Sequence, residues 1–334
     1  MKSLFRFALV SLLLLVLAGG ALGVWAWQWW RAPLPLAAAS VELTIAPGST
    51  ARGVARDWAA AGVQVDERLL FAVLRLSGRA HQIRAGSYAL STGDTPQRWL
   101  DKMLRGEEQL EALRLIEGWT FAQARAALAK APGLRQTVGA LSDAELMARL
   151  GAPGQAAEGR FFPDTYRYGR GVSDLTVLKQ AHAAMQRELE NAWVQRNAES
   201  PLKSADDALV LASIVEKETG RAADRGRISG VFHNRLRIGM PLQTDPTVIY
   251  GLGTGFDGNL RKRDLQTDTP FNTYTRRGLP PTPIALPGRE ALRAAVSPER
   301  TDALYFVARG DGSSEFSATL DAHNRAVQRF QLNR

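Results

Sequence analysis

The chain has 334 residues, 45% hydrophobic and 22% charged, with a formal net charge of +9; this is length enough for about two domains with real cores and too apolar for a disordered polyelectrolyte. There is no cysteine, which excludes disulfides, thiolate metal sites and a cysteine nucleophile, and the four histidines (His81, His182, His233, His323) are scattered without an HExxH pair, so neither a metal nor another cofactor is expected. The positive charge suits polyanions, but no RNP or zinc-finger motif accompanies it and nucleic acid is not an expected partner.

The first element is an apolar run. Phe7 to Trp27 carries no charge over 21 residues, and as a helix it spans roughly 30 Å, about one hydrocarbon core. Lys2 and Arg6 precede it, so the positive-inside bias places residues 1–6 in the cytoplasm and residues 7–28 across a bacterial inner membrane. Trp25, Trp27, Trp29 and Trp30 cluster at the far end, as an aromatic belt would, and the remainder is expected in the periplasm. The competing reading is a cleaved signal peptide, for which Ala18-Gly-Gly-Ala21 supplies small residues.

A Pro/Ala linker, residues 29–40, follows. Val41, Leu43 and Ile45 alternate as in a strand, Pro47-Gly48-Ser49 makes a turn, and helices are expected over Ala51 to Ala61 and Asp66 to Ser77. Gly86 to Leu90 reads as a second strand and Thr95 to Leu104 as a helix. This βααβ unit, residues 41–104, resembles a LysM-like module, a fold associated with N-acetylglucosamine polymers; a small packing domain without a ligand is the alternative.

Residues 105–334 read as a mixed α/β domain with long loops, so the class is α+β. Leu113 to Glu117 is expected as a strand, Thr120 to Lys130 as a helix, and Gly159 to Tyr168 as a loop dense in aromatics. Helices follow at Leu175 to Asn197, Ala205 to Thr219 and Asp224 to Leu236. Gly239 to Pro287 is rich in loop residues, and a loop segment that long in a compact domain is usually functional. Leu304 to Ala308 and Glu315 to Ser317 form a hairpin, and Leu320 to Leu332 a closing helix.

The chemistry concentrates at the end of the Ala205 helix, in Leu211-Ala-Ser-Ile-Val-Glu-Lys-Glu218. Glu218 shares its face with Val215, Ile214 and Leu211, whereas Glu216 lies about 200° away with Ala212, Ser213 and Leu209. A carboxyl on an apolar stripe is desolvated, which raises its pKa toward the range of a general acid. The alternative is that both glutamates are ion-pair partners of Lys217, Arg221 or Arg225. Downstream, Gln243, Thr244, Asp245, Asn272 and Tyr274 offer hydrogen bonds and a ring face, a set that suits a sugar, although any one of them could be an ordinary turn residue.

Taken together, LASIVEKET, RLRIGMPLQTDPTVIYG, PFNTY, GLPPTPIALPG, YFVA and Ala322-His-Asn324 resemble the YceG-like endolytic murein transglycosylase family, over nearly the whole chain and most strongly from Leu211 to Phe330. The resemblance implies that Glu218 is the catalytic acid and that Glu216 and Gln243-Thr244-Asp245 complete the active-site pattern; Asn272 and Tyr274 stay expected substrate-binding residues on their chemistry. It also implies peptidoglycan glycan strands as substrate, 1,6-anhydromuramic acid ends as product, and peptidoglycan synthases as candidate partners. Phe271 departs from the family's YNTY pattern and lacks the hydroxyl a tyrosine would bring. Two other readings stay open: a glycan-binding scaffold without catalysis, and an acyl-serine enzyme built on Ser200-Pro-Leu-Lys203, which fits S-x-x-K without companion motifs.

Overall fold

A computed structural model describes residues 2–46 and 48–332, with side chains from Leu9 onward. The expected turn residue Pro47 and the side chains of Lys2 and Arg6 therefore lie outside the described residues. The chain divides into two compact units, Met1–Glu111 with Tyr168–Gly171, and Ala112–Arg167 with Val172–Arg334.

The first unit opens with α1 (Lys2–Arg31), in which Leu9–Arg31 is long and apolar enough to cross a membrane and is unburied by the protein. Leu and Val side chains along it are more than half exposed, which water would penalise and lipid would not. Trp25 and Trp27 are exposed, but Trp29 and Trp30 pack against the core of the unit, so the tryptophan cluster is shared between two environments. The Pro/Ala stretch after α1 is tied down: Leu34 N–H donates to Asp94 O (2.9 Å) and Ala37 N–H to Gly62 O (2.9 Å), and Leu34 is buried.

The expected βααβ order is present as β1 (Ser40–Ile45), α2 (Ala51–Ala60), α3 (Glu67–Leu76) and β2 (Gly86–Ser91), followed by α4 (Pro96–Arg105). Alternation drives β1: Val41, Leu43 and Ile45 are buried while Ser40, Glu42 and Thr44 face out. It pairs antiparallel with β2, Leu43 opposite Tyr88. Thr50, Asp66 and Thr95 cap the three helices with side-chain oxygens. Trp58 and Trp99, centroids 3.8 Å apart, fill the centre.

β3 (Leu110–Arg114) lies three residues earlier than the expected Leu113–Glu117 strand, and it pairs with β4 (Thr165–Gly169), which emerges from the aromatic-rich stretch expected as loop. The larger unit otherwise carries α5 (Phe121–Lys130), α6 (Asp143–Arg149), α7 (Asp174–Val194), α8 (Ala205–Glu218), α9 (Ala222–Arg237), α10 (Asp245–Leu252), α11 (Lys262–Gln266), α12 (Arg289–Val296), the antiparallel pair β5 (Tyr305–Ala308) and β6 (Ser314–Ser317), and α13 (Leu320–Val327). The segment 239–287 is thus less irregular than its composition suggests, since α10 and α11 fall inside it.

The centre of this unit is α8. Ser204 and Asp207 close its N-terminus as a capping box, and every side chain from Ala208 to Val215 is buried. A helix apolar all round must be enclosed, and α7, α9, α10 and α12 all pack on it. The one buried hydroxyl, Ser213, donates to Val210 O (2.7 Å) and accepts from Ile284 N–H (3.0 Å), pinning the 279–288 segment to the helix. On α9, Gly230 lets the backbone of Glu299 approach: a Cβ there would stand 2.5 Å from its carbonyl oxygen.

Replacing Ser213 with Ala leaves the Ile284 N–H buried without an acceptor. Ser213→Ala is expected to lower unfolding free energy by about 1–3 kcal/mol, read as a lower urea midpoint at unchanged m-value.

Candidate active site

Beyond Val215 the helix leaves the core, and its last turn delivers two carboxyls to different surroundings. Glu216 accepts the Gly288 N–H (2.9 Å), the N-cap residue of α12, on the side where Ser213 holds Ile284. Burial is the main reason its pKa is raised, with the Glu117 charge adding to that and the Gly288 hydrogen bond and Arg225 opposing. Among the described residues neither Glu216 nor Glu218 makes an ion pair within 4 Å.

Glu218 lines a cavity of about 590 Å³, together with Arg235, Gln243, Asp245, Tyr274, Tyr305 and His323. A second opening of about 810 Å³, walled by Thr219, Gly220, Arg221 and the β5–β6 turn, shares Glu218, Ala308 and Ser314 with the first. Open space therefore continues on both sides of the carboxyl. Thr244 Oγ1 donates to a carboxylate oxygen of Glu218. Burial pushes the Glu218 pKa up to about 7; the Asp245 charge raises it further, while the Thr244 hydroxyl and the Arg235 charge hold it down. Such a group can give a proton and take it back near neutrality.

The donor to Glu218 is itself fixed. Thr244 is buried, its N–H donates to Thr273 Oγ1 (3.0 Å), Thr247 Oγ1 donates to its carbonyl (2.8 Å), and Gln243 N–H donates to Thr273 O (3.0 Å). Gln243, with φ 50°, is the one non-glycine residue among those described in the left-handed region, and this network is what can hold it there. Tyr274 donates from its hydroxyl to Asp245 Oδ1 (2.5 Å), and burial with the Asp245 bond raises its own pKa. Arg235 is buried and bound to carbonyls instead of a carboxylate: Nε to Leu304 O (2.7 Å) and Nη1 to Leu242 O (2.7 Å). Desolvation lowers its pKa, with Tyr305, Tyr274 and Glu218 favouring the charged form.

Of the residues singled out from sequence, Glu218, Gln243, Asp245 and Tyr274 meet at the cavity, and Thr244 lies behind Glu218. Asn272 is fully buried beneath the loop: its Nδ2 donates to the carbonyls of Asp264, Leu265 and Thr267, and its Oδ1 accepts from Tyr274 N–H. Phe271 meets Tyr250 edge to face at 4.9 Å and packs against the core around α8. Ser200 Oγ bonds to the buried His233 Nε2 (3.2 Å), away from Glu218. Arg235, Thr247, Thr273, Tyr305 and His323 were not picked out individually. The repeated threonines of TDPT and NTYT were the available sign for two of them. Among the described residues no cluster of three metal-ligating side chains occurs.

A half-buried acid in a polar cleft, positioned by a buried hydroxyl network, sets this apart from a purely structural helix bundle. The model of the YceG-like family matches residues 43–329, and the chain belongs to that family. It is 40% identical over 178 residues to an endolytic murein transglycosylase of Bacillus subtilis (strain 168), a match covering 52% of this chain and 48% of that protein. A protein of the same name from Streptococcus pneumoniae serotype 2 is 32% identical over 175 residues, covering 51% of this chain and 31% of its own length. This chain thus spans half or less of the curated relatives it matches. The crystal structure of a putative YceG-like protein from Listeria monocytogenes aligns over 86% of this chain and 98% of that one, with TM-score 0.56 and 28% identity.

The raised pKa has a stability consequence. An unfolded glutamate ionises near its ordinary value of 4.5 and Glu218 only at about 7, so folding stability falls as pH rises through that interval. Glu218→Gln removes the penalty and is expected to stabilise the fold on the order of 2–3 kcal/mol at pH 8, with the gap closing at pH 4, measured as melting temperature against pH.

Proposed function

We propose that this chain is a membrane-anchored endolytic murein transglycosylase with Glu218 as its single acid–base group. The observation that carries this reading is a desolvated carboxyl with space on both sides of it, which suits a glycan strand running through the site and cut internally. Membership of the YceG-like family and the endolytic murein transglycosylases among its relatives support the same reaction.

In this mechanism protonated Glu218 donates to the glycosidic oxygen between N-acetylmuramic acid and N-acetylglucosamine, and the C1–O bond breaks. The positive charge developing at C1 is met by the substrate's own acetamido oxygen. Glu218, now a carboxylate, takes the proton from the muramyl 6-hydroxyl as its oxygen bonds to C1. The product end is 1,6-anhydromuramic acid, no water is consumed, and Glu218 is returned protonated. One carboxyl serves both steps, unlike the two-carboxyl arrangement of most glycosidases. Thr244 aims Glu218 and stabilises its carboxylate form, and Asp245, held by Tyr274, supplies negative potential near the developing cation.

The apolar α1 fits a single inner-membrane span with the larger unit in the periplasm, and the βααβ order of residues 41–104 fits a LysM-like module. Neighbouring peptidoglycan synthases would supply nascent strands there.

The experiment is digestion of purified peptidoglycan followed by mass spectrometry of the ends. The native chain is expected to leave internal anhydro-ended fragments and Glu218→Gln to lose at least about 100-fold in rate while staying folded; undiminished anhydro ends from the variant would sink the assignment. Because the acid must begin protonated, kcat/KM is expected to fall as pH rises through about 7. Thr244→Val removes a donor that favours the carboxylate, so the falling limb should move to higher pH.

A further inference from the structure

His323, on α13, lines the same cavity as Glu218, and its ring stacks on Tyr305 of β5 with centroids 5.2 Å apart and planes 22° from parallel. Tyr305 in turn lies 5.3 Å from the Arg235 guanidinium of α9. The imidazole is therefore placed by three elements of the larger unit. Its Nδ1 is sealed from solvent and has no hydrogen-bond partner. A structural histidine ordinarily spends both nitrogens inside the protein, as His233 does on Ser229 O (2.9 Å) and Ser200 Oγ (3.2 Å). His323 spends neither.

This asymmetry selects a tautomer. A proton on Nδ1 would bury a donor with no acceptor, so the neutral ring of this cavity-lining residue carries its proton on Nε2, the nitrogen that is not sealed without a partner. The doubly protonated form meets the same objection, and burial together with the Arg235 charge pushes the His323 pKa below its ordinary value. The cavity that holds the acid thus also presents a fixed donor whose cationic form is disfavoured.

We infer that His323 is a binding residue for the glycan, donating from Nε2 to a hydroxyl or acetamido oxygen of an N-acetylated amino sugar seated beside Glu218. This rests on the proposed function and names how the substrate is held. Oxygen acceptors are what every ring of such a strand presents, whereas a protonated imidazole would draw anions from the surroundings. The Tyr305 ring beneath keeps the imidazole from turning away when the cavity is empty.

The test uses the full chain carrying Glu218→Gln, which leaves the ligand uncut, titrated calorimetrically with uncrosslinked murein glycan strands. Adding His323→Phe keeps the aromatic stack and removes both nitrogens; Kd is expected to rise about five- to tenfold, the worth of one neutral hydrogen bond. His323→Gln returns an N–H and is expected to recover most of the loss. In the active chain His323→Phe should raise KM and spare kcat, and nitrogen NMR should show the Nε2–H tautomer at pH 7. Unchanged binding by His323→Phe, or an Nδ1–H or imidazolium ring at pH 7, overturns the inference while the proposed function stands. If Glu218→Gln alone binds no glycan, the proposed function falls and this inference falls with it.

Discussion

The hydrogen bond from Thr244 to Glu218 is where the large unit's packing becomes chemistry. It joins the end of the buried helix α8 to the start of α10. Neither partner could be there without the rest of the fold. Thr244 is held by Thr247 and Thr273, and that pair fixes the 243–245 turn against the 272–274 turn. Asn272 braces the second turn from below through three carbonyls. Glu218 is held by a helix whose whole circumference is enclosed from Ala208 to Val215. A buried charge is tolerated only where its environment is arranged for it. Here that arrangement is one hydroxyl and one nearby guanidinium whose hydrogen bonds are committed to carbonyls.

The two glutamates of one helical turn show how direction separates roles. Both are pushed toward the neutral form by burial. Glu216 meets a backbone N–H and so closes the segment 284–288 onto α8, a task Ser213 shares one turn earlier. Glu218 meets a side-chain hydroxyl and open space. The first arrangement holds a wall in place, and the second leaves a proton exchangeable. Three elements in chain order, α8, the 243–245 turn and the 279–288 segment, are therefore mutually dependent. Disturbing the wall would loosen the helix end that carries the acid.

Much of this was legible because burial leaves periodic traces. The strand alternation at Val41, Leu43 and Ile45, the cap residues, and the unbroken apolar run in α8 were sufficient to place the elements and to separate Glu218 from Glu216 by angle. The helix α10 was hidden because its opening Asp-Pro reads as a turn, although Pro in the first turn is also how helices begin. The helix α12 was hidden behind the prolines that precede it. Arg235 was not legible at all. A basic residue near a helix C-terminus ordinarily faces water, and only the tertiary ring of carbonyls from Leu304 and Leu242 makes its burial tolerable. Asn272 looked like a sugar ligand because amides serve both purposes; which one is realised depends on carbonyls that converge only in three dimensions.

A single group that must donate and then accept gains most when its pKa lies near ambient pH, since neither form is then scarce. Burial is the largest influence on Glu218 and favours its neutral form. The Thr244 hydroxyl is the main opposing influence, the Asp245 charge pushes the same way as burial, and the Arg235 charge adds a smaller pull down. Because Arg235 is enclosed and bound to carbonyls, its charge is felt without neutralising the acid in a direct ion pair. A carboxylate partner in its place would raise the acid, and an exposed cation would be screened by solvent. The threonine network, with a smaller contribution from the buried arginine, is thus the part of the fold that leaves burial incomplete in its effect, and an acid that can both give and regain its proton is what that incompleteness produces.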